Sequence, residues 1–161
     1  MRVDLPSYDA VMDTPVASIR LGILVSGNKL VKIDLLSVSQ QTKAPINAVT
    51  QTVVEQLRCY FDDPQWLFSL PQVSQGTDFQ QRVWQFMQAI PRGETRRYGD
   101  VAAVLNSSAR AVGGACRRNP VPIVVPCHRI VAATGLGGFS GERVGAELDF
   151  KQWLLNHEKR P

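Results

Sequence analysis

Apolar and polar residues alternate over the stretch that follows Ser18. Ile19, Leu21, Ile23 and Val25 fall on one side of an extended segment. Val31, Ile33 and Leu35 do the same on the next one, with Lys32 and Asp34 opposite. A period of two predicts two strands, and Ser26-Gly27-Asn28-Lys29 between them supplies a hairpin turn. After a polar loop over 37–46 the period becomes helical. Val49, Val53, Leu57 and Tyr60/Phe61 form one stripe, which predicts a helix from about Ala48 to Phe61. Asp62-Asp63-Pro64 ends it. Residues 65–76, with Pro71, Ser74 and Gly76, read as a connector. A unit of only about 70 residues buries too little surface to stand well alone, so it is expected to pack on the second half of the chain. Nothing in its sequence marks a site.

The second half opens on Thr77 and Gln80, spaced as a capping box. Phe79, Val83, Phe86, Met87 and Ile90 follow at helical spacing, and Pro91-Arg92-Gly93 stops the run. A short helix over about Gly99–Leu105 comes next, then Asn106-Ser107-Ser108 as turn and cap, then a helix over Ala109–Arg118 that ends before Pro120. Two short helices across such a turn read as a helix-turn-helix. The second is nearly bare of bulk: Ala109, Ala111, Gly113, Gly114 and Ala115. Each glycine inside a helix costs about 1 kcal/mol relative to alanine. Two readings account for that cost: close packing against another helix, or close approach to a nucleic-acid backbone.

Charge favours the second reading. Over all 161 residues Lys plus Arg is 18 and Asp plus Glu is 14, a formal net charge of +4. Residues 1–75 hold 6 basic and 7 acidic side chains, and residues 76–161 hold 12 and 7, so the excess lies wholly in the second half. Arg92, Arg96, Arg97, Arg110, Arg117 and Arg118 cluster there with no lysine among them, and guanidinium forks suit phosphate. A helix with such small side chains can contact phosphates through its N-terminal amides and displays little with which to read bases. No apolar run is long enough for a membrane span or a signal-peptide core, so a cytoplasmic protein is expected. The three cysteines are too few for a disulfide framework and lack zinc spacing.

One of the three has a distinctive setting. Pro120-Val-Pro-Ile-Val-Val-Pro leads into Cys127-His128-Arg129, and a glycine-rich loop, Gly135 to Gly141, comes after it. A buried structural cysteine is the plain alternative. A thiol beside a base gains thiolate and becomes a nucleophile. His128, adjacent in sequence, need not touch Cys127 directly, so a water can carry the proton. Cys59 and Cys116 lack such a setting. Glu158, on the C-terminal helix, is available to orient the base. No dinucleotide or phosphate-loop motif is present.

The stretches IPRGETRRYGDVA, ARAVGGACRRNPVPIVVPCHRIV, GGFSG and WLLNHE resemble the O6-alkylguanine-DNA alkyltransferases over roughly residues 77–158. The resemblance implies an α+β fold. A small N-terminal α/β domain of ribonuclease-H-like type would span 1–75, and a helical, winged-helix-like domain with the helix-turn-helix would span 76–161. It implies that Cys127 accepts an alkyl group, with His128 as base through a water and Glu158 completing the relay. Asn119 would hold the segment between recognition helix and reactive turn, and Tyr98 would contact the extruded guanine. Arg110 would fill the vacated stack, while Ala109, Ala111, Gly113, Gly114 and Arg117 would meet the DNA. The carbonyls of Cys127 and Ile130 would take the guanine amino group, and Ser140 would donate its backbone N–H near O6. It further implies duplex DNA carrying O6-alkylguanine, and O4-alkylthymine, as substrate, one turnover per molecule, no cofactor, no metal, no membrane, no obligate protein partner and a monomer.

The chain departs from the family pattern in two places. Phe139 stands where tyrosine is common, and the link Gly141–Glu147 is longer than usual. Cys127 itself is present, unlike in the family's non-repairing relatives with tryptophan there. No zinc-binding regulatory domain is seen before this unit, so a transcriptional-response role is not expected. Two rivals remain on the residues alone: a DNA-binding module with a structural Cys127, and a thiol hydrolase pairing Cys127 with His157.

Overall fold

A computed structural model describes residues 7–71, 75–138 and 145–161. The first half holds β1 (Ala10–Asp13), β2 (Ile19–Ser26), β3 (Lys29–Ser37) and α1 (Ala48–Asp62). The strands form an antiparallel sheet in the order β1-β2-β3. Gly27, with φ of +60°, turns the β2–β3 hairpin as its sequence predicts. Two features were not legible. β1 is only four residues long and carries no full alternation. Between β2 and β3 the pairing steps from Leu24–Lys32 to Val25–Leu30, so Val31 is the extra residue of a bulge. The bulge re-phases the strand, and Leu30 rather than Val31 is buried beside Ile33.

Asn47 caps α1 by accepting from Thr50 N, and Val53, Leu57, Tyr60 and Phe61 are buried on its inner face. Then come α2 (Asp78–Ala89), β4 (Arg96–Arg97), α3 (Tyr98–Val104), α4 (Ala109–Arg117), a 3-10 turn (Cys127–Arg129), β5 (Ile130–Val131) and α5 (Ala146–Glu158). The capping box of Thr77 and Gln80 is formed in both directions, and such a cap contributes about 1 kcal/mol. Ser108 caps α4 by accepting from Ala111 N.

One apolar core runs through both halves. It joins Leu21, Ile23 and Leu57 to Val83, Met87, Ile130, Phe150 and Leu154. Full burial of each such side chain contributes about 1.5–3 kcal/mol, so the small sheet draws its stability from the helices behind it. Phe61 of α1 meets Phe150 and Trp153 of α5 at ring distances of 6.4 and 5.8 Å. The main chain crosses as well: Ile33 N of β3 donates to Pro120 O at 2.9 Å. Among the described residues no helix is long and apolar enough to cross a membrane.

Candidate active site

The 3-10 turn brings Cys127 and His128 to the centre of the molecule. Cys127 is 6% exposed and His128 fully buried. Asn119 builds the approach to that turn. Its Nδ2 donates to Val125 O at 2.8 Å and its Oδ1 accepts from Val121 N at 3.1 Å, so one side chain closes both ends of the proline-rich segment. Within that segment Ile123 has φ of +76°, a conformation that a β-branched residue adopts only under constraint.

His128 Nε2 lies 2.9 Å from Glu158 Oε2, with both side chains closed to solvent. Arg129 grips the same carboxylate with two bonds of 2.9 Å, Nε to Oε1 and Nη2 to Oε2, and its Nη1 donates to Ile90 O at 2.7 Å. Burial works against ionisation of Glu158. His128 at 2.9 Å and Arg129, with its two bonds and its charge, outweigh it and hold the carboxyl well below the usual range. Burial keeps His128 below its ordinary range despite Glu158, so the ring is neutral. An ionised carboxylate only accepts, so Nε2 carries the hydrogen and Nδ1 is left as a base. Both ring nitrogens are buried, and neither makes a hydrogen bond of good geometry with a described residue, although Nε2 is within 2.9 Å of the carboxylate. Burial also pushes the Cys127 thiol up, opposed by Asn119 and by the charge of Lys151. The resting site thus holds a neutral thiol, a neutral imidazole and an anion behind it.

Three contributors escape sequence reasoning. Arg129 stands in the Cys127-His128-Arg129 run, but nothing there says where its fork points. Lys151 is fully buried on α5. Its ammonium donates to Ile130 O at 2.8 Å, Leu136 O at 2.7 Å and Gly138 O at 2.9 Å, and lies 5.9 Å from the Tyr98 ring centre. Burial lowers its pKa to about 8, against the pull of Cys127 and Cys116. A lysine between Phe150 and the buried Leu154 and Leu155 was the available signal. Tyr60 comes from the first half, and its hydroxyl donates to Glu158 Oε2 at 2.8 Å. The expectation that the first half holds no part of the site is thereby corrected; a tyrosine on an apolar stripe reads as core until its hydroxyl is seen to have a partner.

The remaining expected residues flank this centre. The pair β4–β5 is parallel, with Arg96 opposite Ile130 and Arg97 opposite Val131, and it sets Tyr98 beside the reactive turn. Tyr98 is half-buried, with its hydroxyl 3.5 Å from Gly138 O. Gly137 has φ of +74°, and a Cβ there would come 2.8 Å from the Tyr98 ring, so only glycine lets the loop lie this close. The carbonyl of Cys127 accepts from Ile130 N and that of Ile130 from Lys151, each keeping a second lone pair. On α4, Ala109, Arg110 and Arg117 are exposed and Ala111, Gly113 and Gly114 half-buried. A Cβ on Gly113 or Gly114 would meet nothing within 4 Å, so internal packing does not account for these glycines. Ser140 and Phe139 lie outside the described residues, as does most of the link 141–147. His157, the base of the hydrolase reading, stacks on Trp153 at 4.6 Å, and its Nε2 is 2.6 Å from Tyr60 O. It belongs to the helix contact and not to the thiol.

A buried cysteine and histidine with a fixed carboxylate, beside a helix-turn-helix that carries exposed arginines, define the class of helix-turn-helix proteins with a cysteine-centred site. The comparisons agree. Residues 78–160 match the family described as 6-O-methylguanine DNA methyltransferase, DNA binding domain. A methylated-DNA–protein-cysteine methyltransferase of Mycobacterium leprae is 39% identical over 157 residues, covering 92% of this chain and 90% of that one. The constitutive enzyme of that name from Bacillus subtilis is 44% identical over 108 residues, covering 65% of this chain and 63% of the relative. The structure of the Mycobacterium tuberculosis O6-methylguanine methyltransferase superposes with a TM-score of 0.75 at 36% identity, over 92% of this chain and 90% of that one. The structure of that species' protein in complex with DNA gives the same score and identity, over 92% and 91%. This chain belongs to the O6-alkylguanine-DNA alkyltransferase family.

Proposed function

We propose that this protein repairs DNA directly, by moving the alkyl group of O6-alkylguanine in a duplex onto Cys127. The observation that supports the reading is the 2.9 Å approach of His128 Nε2 to Glu158 Oε2, both buried and next in the chain to the buried Cys127; with the hydrogen on Nε2, Nδ1 would be the base. The alkyl group of a stacked base is out of reach, so the nucleotide must leave the duplex, at a cost of a few kcal/mol. Exposed Arg110 at the start of α4 would fill the space left behind. Ala109, Ala111, Gly113 and Gly114 would let the helix approach the groove, and Arg117 would meet phosphate.

In the pocket, the carbonyls of Cys127 and Ile130 would take the guanine amino group, with Ser140 near O6. The thiol proton passes through a water to His128 Nδ1, and the sulfur attacks the alkyl carbon in line. The S–C bond forms as the C–O6 bond breaks. The guanine anion takes a proton from Tyr98, and the tyrosine is restored by the proton that left the thiol. The products are neutral guanine in DNA and a thioether on Cys127. A thioether offers no route to hydrolysis, so each molecule acts once and needs no cofactor. O4-alkylthymine presents the same bond and would be a second substrate. On this reading residues 76–161 bind DNA and accept the alkyl group, residues 1–75 support them, and the protein works as a cytoplasmic monomer.

The decisive experiment is intact and peptide mass after incubation with a duplex holding one O6-methylguanine. A gain of one methyl group on the Cys127 peptide is the expected result, absent in Cys127→Ser. Binding without any mass change would leave the rival, a non-catalytic DNA-binding module with a structural cysteine.

A further inference from the structure

One oxygen of Glu158 faces more donors than it has lone pairs. Oε2 accepts from the Tyr60 hydroxyl at 2.8 Å and from Arg129 Nη2 at 2.9 Å, and His128 Nε2 is also 2.9 Å away. The two parallel bonds from Arg129 already fix the plane of the carboxylate. The Tyr60 hydroxyl is therefore not needed to hold Glu158; it competes with His128 for the same atom. That hydroxyl is rigidly placed. The Tyr60 carbonyl lies 2.6 Å from His157 Nε2, and its ring meets His157 edge-on at 5.2 Å and Phe68 at 5.4 Å. Burial and the Glu158 charge push the phenol up, so it donates at every pH the fold survives.

We infer that Tyr60 is a positioning residue of the proton relay, whose hydroxyl absorbs part of the Glu158 charge and so limits how strongly Glu158 draws a proton onto His128. The inference rests on the proposed role of Cys127. Its physical content is a tuning of basicity from the first half of the chain. Without the hydroxyl the anion acts more fully on His128, the imidazolium is favoured, and the thiolate forms at lower pH. The charged and titratable groups around this point are His128, Arg129 and Cys127 on the reactive turn, and Lys151 and His157 on α5. All of them are kept when only the hydroxyl is removed, so a difference between the two profiles reports the hydroxyl alone.

The test compares the full-length protein with Tyr60→Phe and Phe68→Leu. For each, the rate of iodoacetamide labelling at Cys127 is followed against pH by peptide mass, beside methyl transfer from the O6-methylguanine duplex. Tyr60→Phe should move the midpoint of both profiles down by about half a pH unit, roughly a threefold faster reaction on the acid limb. Phe68→Leu disturbs the ring packing without touching the hydroxyl. It should lower Tm and leave the midpoint at the wild-type value. A Tyr60→Phe profile that superimposes on wild type, or moves up, overturns the inference. A shifted labelling midpoint in a protein that transfers no methyl group would keep the tuning role and remove the repair reading instead.

Discussion

Arg129 holds Glu158 by two parallel hydrogen bonds of 2.9 Å while its third nitrogen reaches the carbonyl of Ile90, so one guanidinium joins the reactive turn to α5 and to the end of α2. Replacing Glu158 by Gln removes the anion that this fork and His128 share. Breaking a buried pair by changing one partner costs about 3–5 kcal/mol. Glu158→Gln should therefore lower Tm and abolish methyl transfer together. The sign of the pH effect comes from the depressed carboxyl. The folded protein binds fewer protons here than the unfolded chain. The stabilisation is thus present above the unfolded carboxyl pKa of about 4.3 and is lost as pH falls towards the lower folded value. Melting curves through that acid window should fall more steeply for wild type than for Glu158→Gln.

Lys151 ties the carbonyls of Ile130, Leu136 and Gly138 to α5. Lys151→Met keeps the bulk and deletes all three bonds, and the buried Ile130 carbonyl left unpaired costs about 1–3 kcal/mol. The loop beside Tyr98 loses its anchor. Methyl transfer should drop about tenfold or more, a loss of about 1.4 kcal/mol in transition-state stabilisation, while duplex binding through α4 stays unchanged. Single-turnover rates set against binding isotherms check both halves of that statement.

The open space around Gly113 and Gly114 separates fold from function. Alanine at either position should strengthen α4 by up to about 1 kcal/mol, because glycine is the poorer helix former. The added methyl stands where the groove would pass. Gly113→Ala should then raise or preserve Tm and weaken duplex binding. Weaker folding with unchanged DNA affinity would mean that these glycines serve internal packing after all.

Arg110 is exposed at the first turn of α4. Arg110→Ala should slow repair of duplex DNA while leaving the reaction with free O6-alkylguanine nearly unchanged, since only the duplex has a gap to fill. Equal loss on both substrates would remove its stack-filling role. Binding should also weaken steeply with salt and little with sequence, as expected for phosphate contacts.

The helices and the hairpin were legible because their periods are unbroken and their caps are local: Asn47, the Thr77–Gln80 box and Ser108. β1 and the β4–β5 pair were not, because segments of two to four residues carry no period and owe their form to partners far along the chain. The site divides in the same way. Cys127, His128, Asn119 and Glu158 stand in motif stretches, and the fold sets His128 Nε2 2.9 Å from Glu158 and braces the run to Cys127 with Asn119. Tyr60 and Lys151 were hidden because each lies on an apolar helical face, where sequence reports burial and not the direction of a polar tip.

On the proposed function this protein would be consumed by its own reaction and would face a problem that an ordinary enzyme does not: every stray electrophile it met would end its working life. The burial of Cys127 bears on this directly. With the thiol held protonated and screened from solvent, oxidants and soluble alkylating agents find little thiolate to react with. On that reading, unspent molecules would be kept in reserve for the lesion.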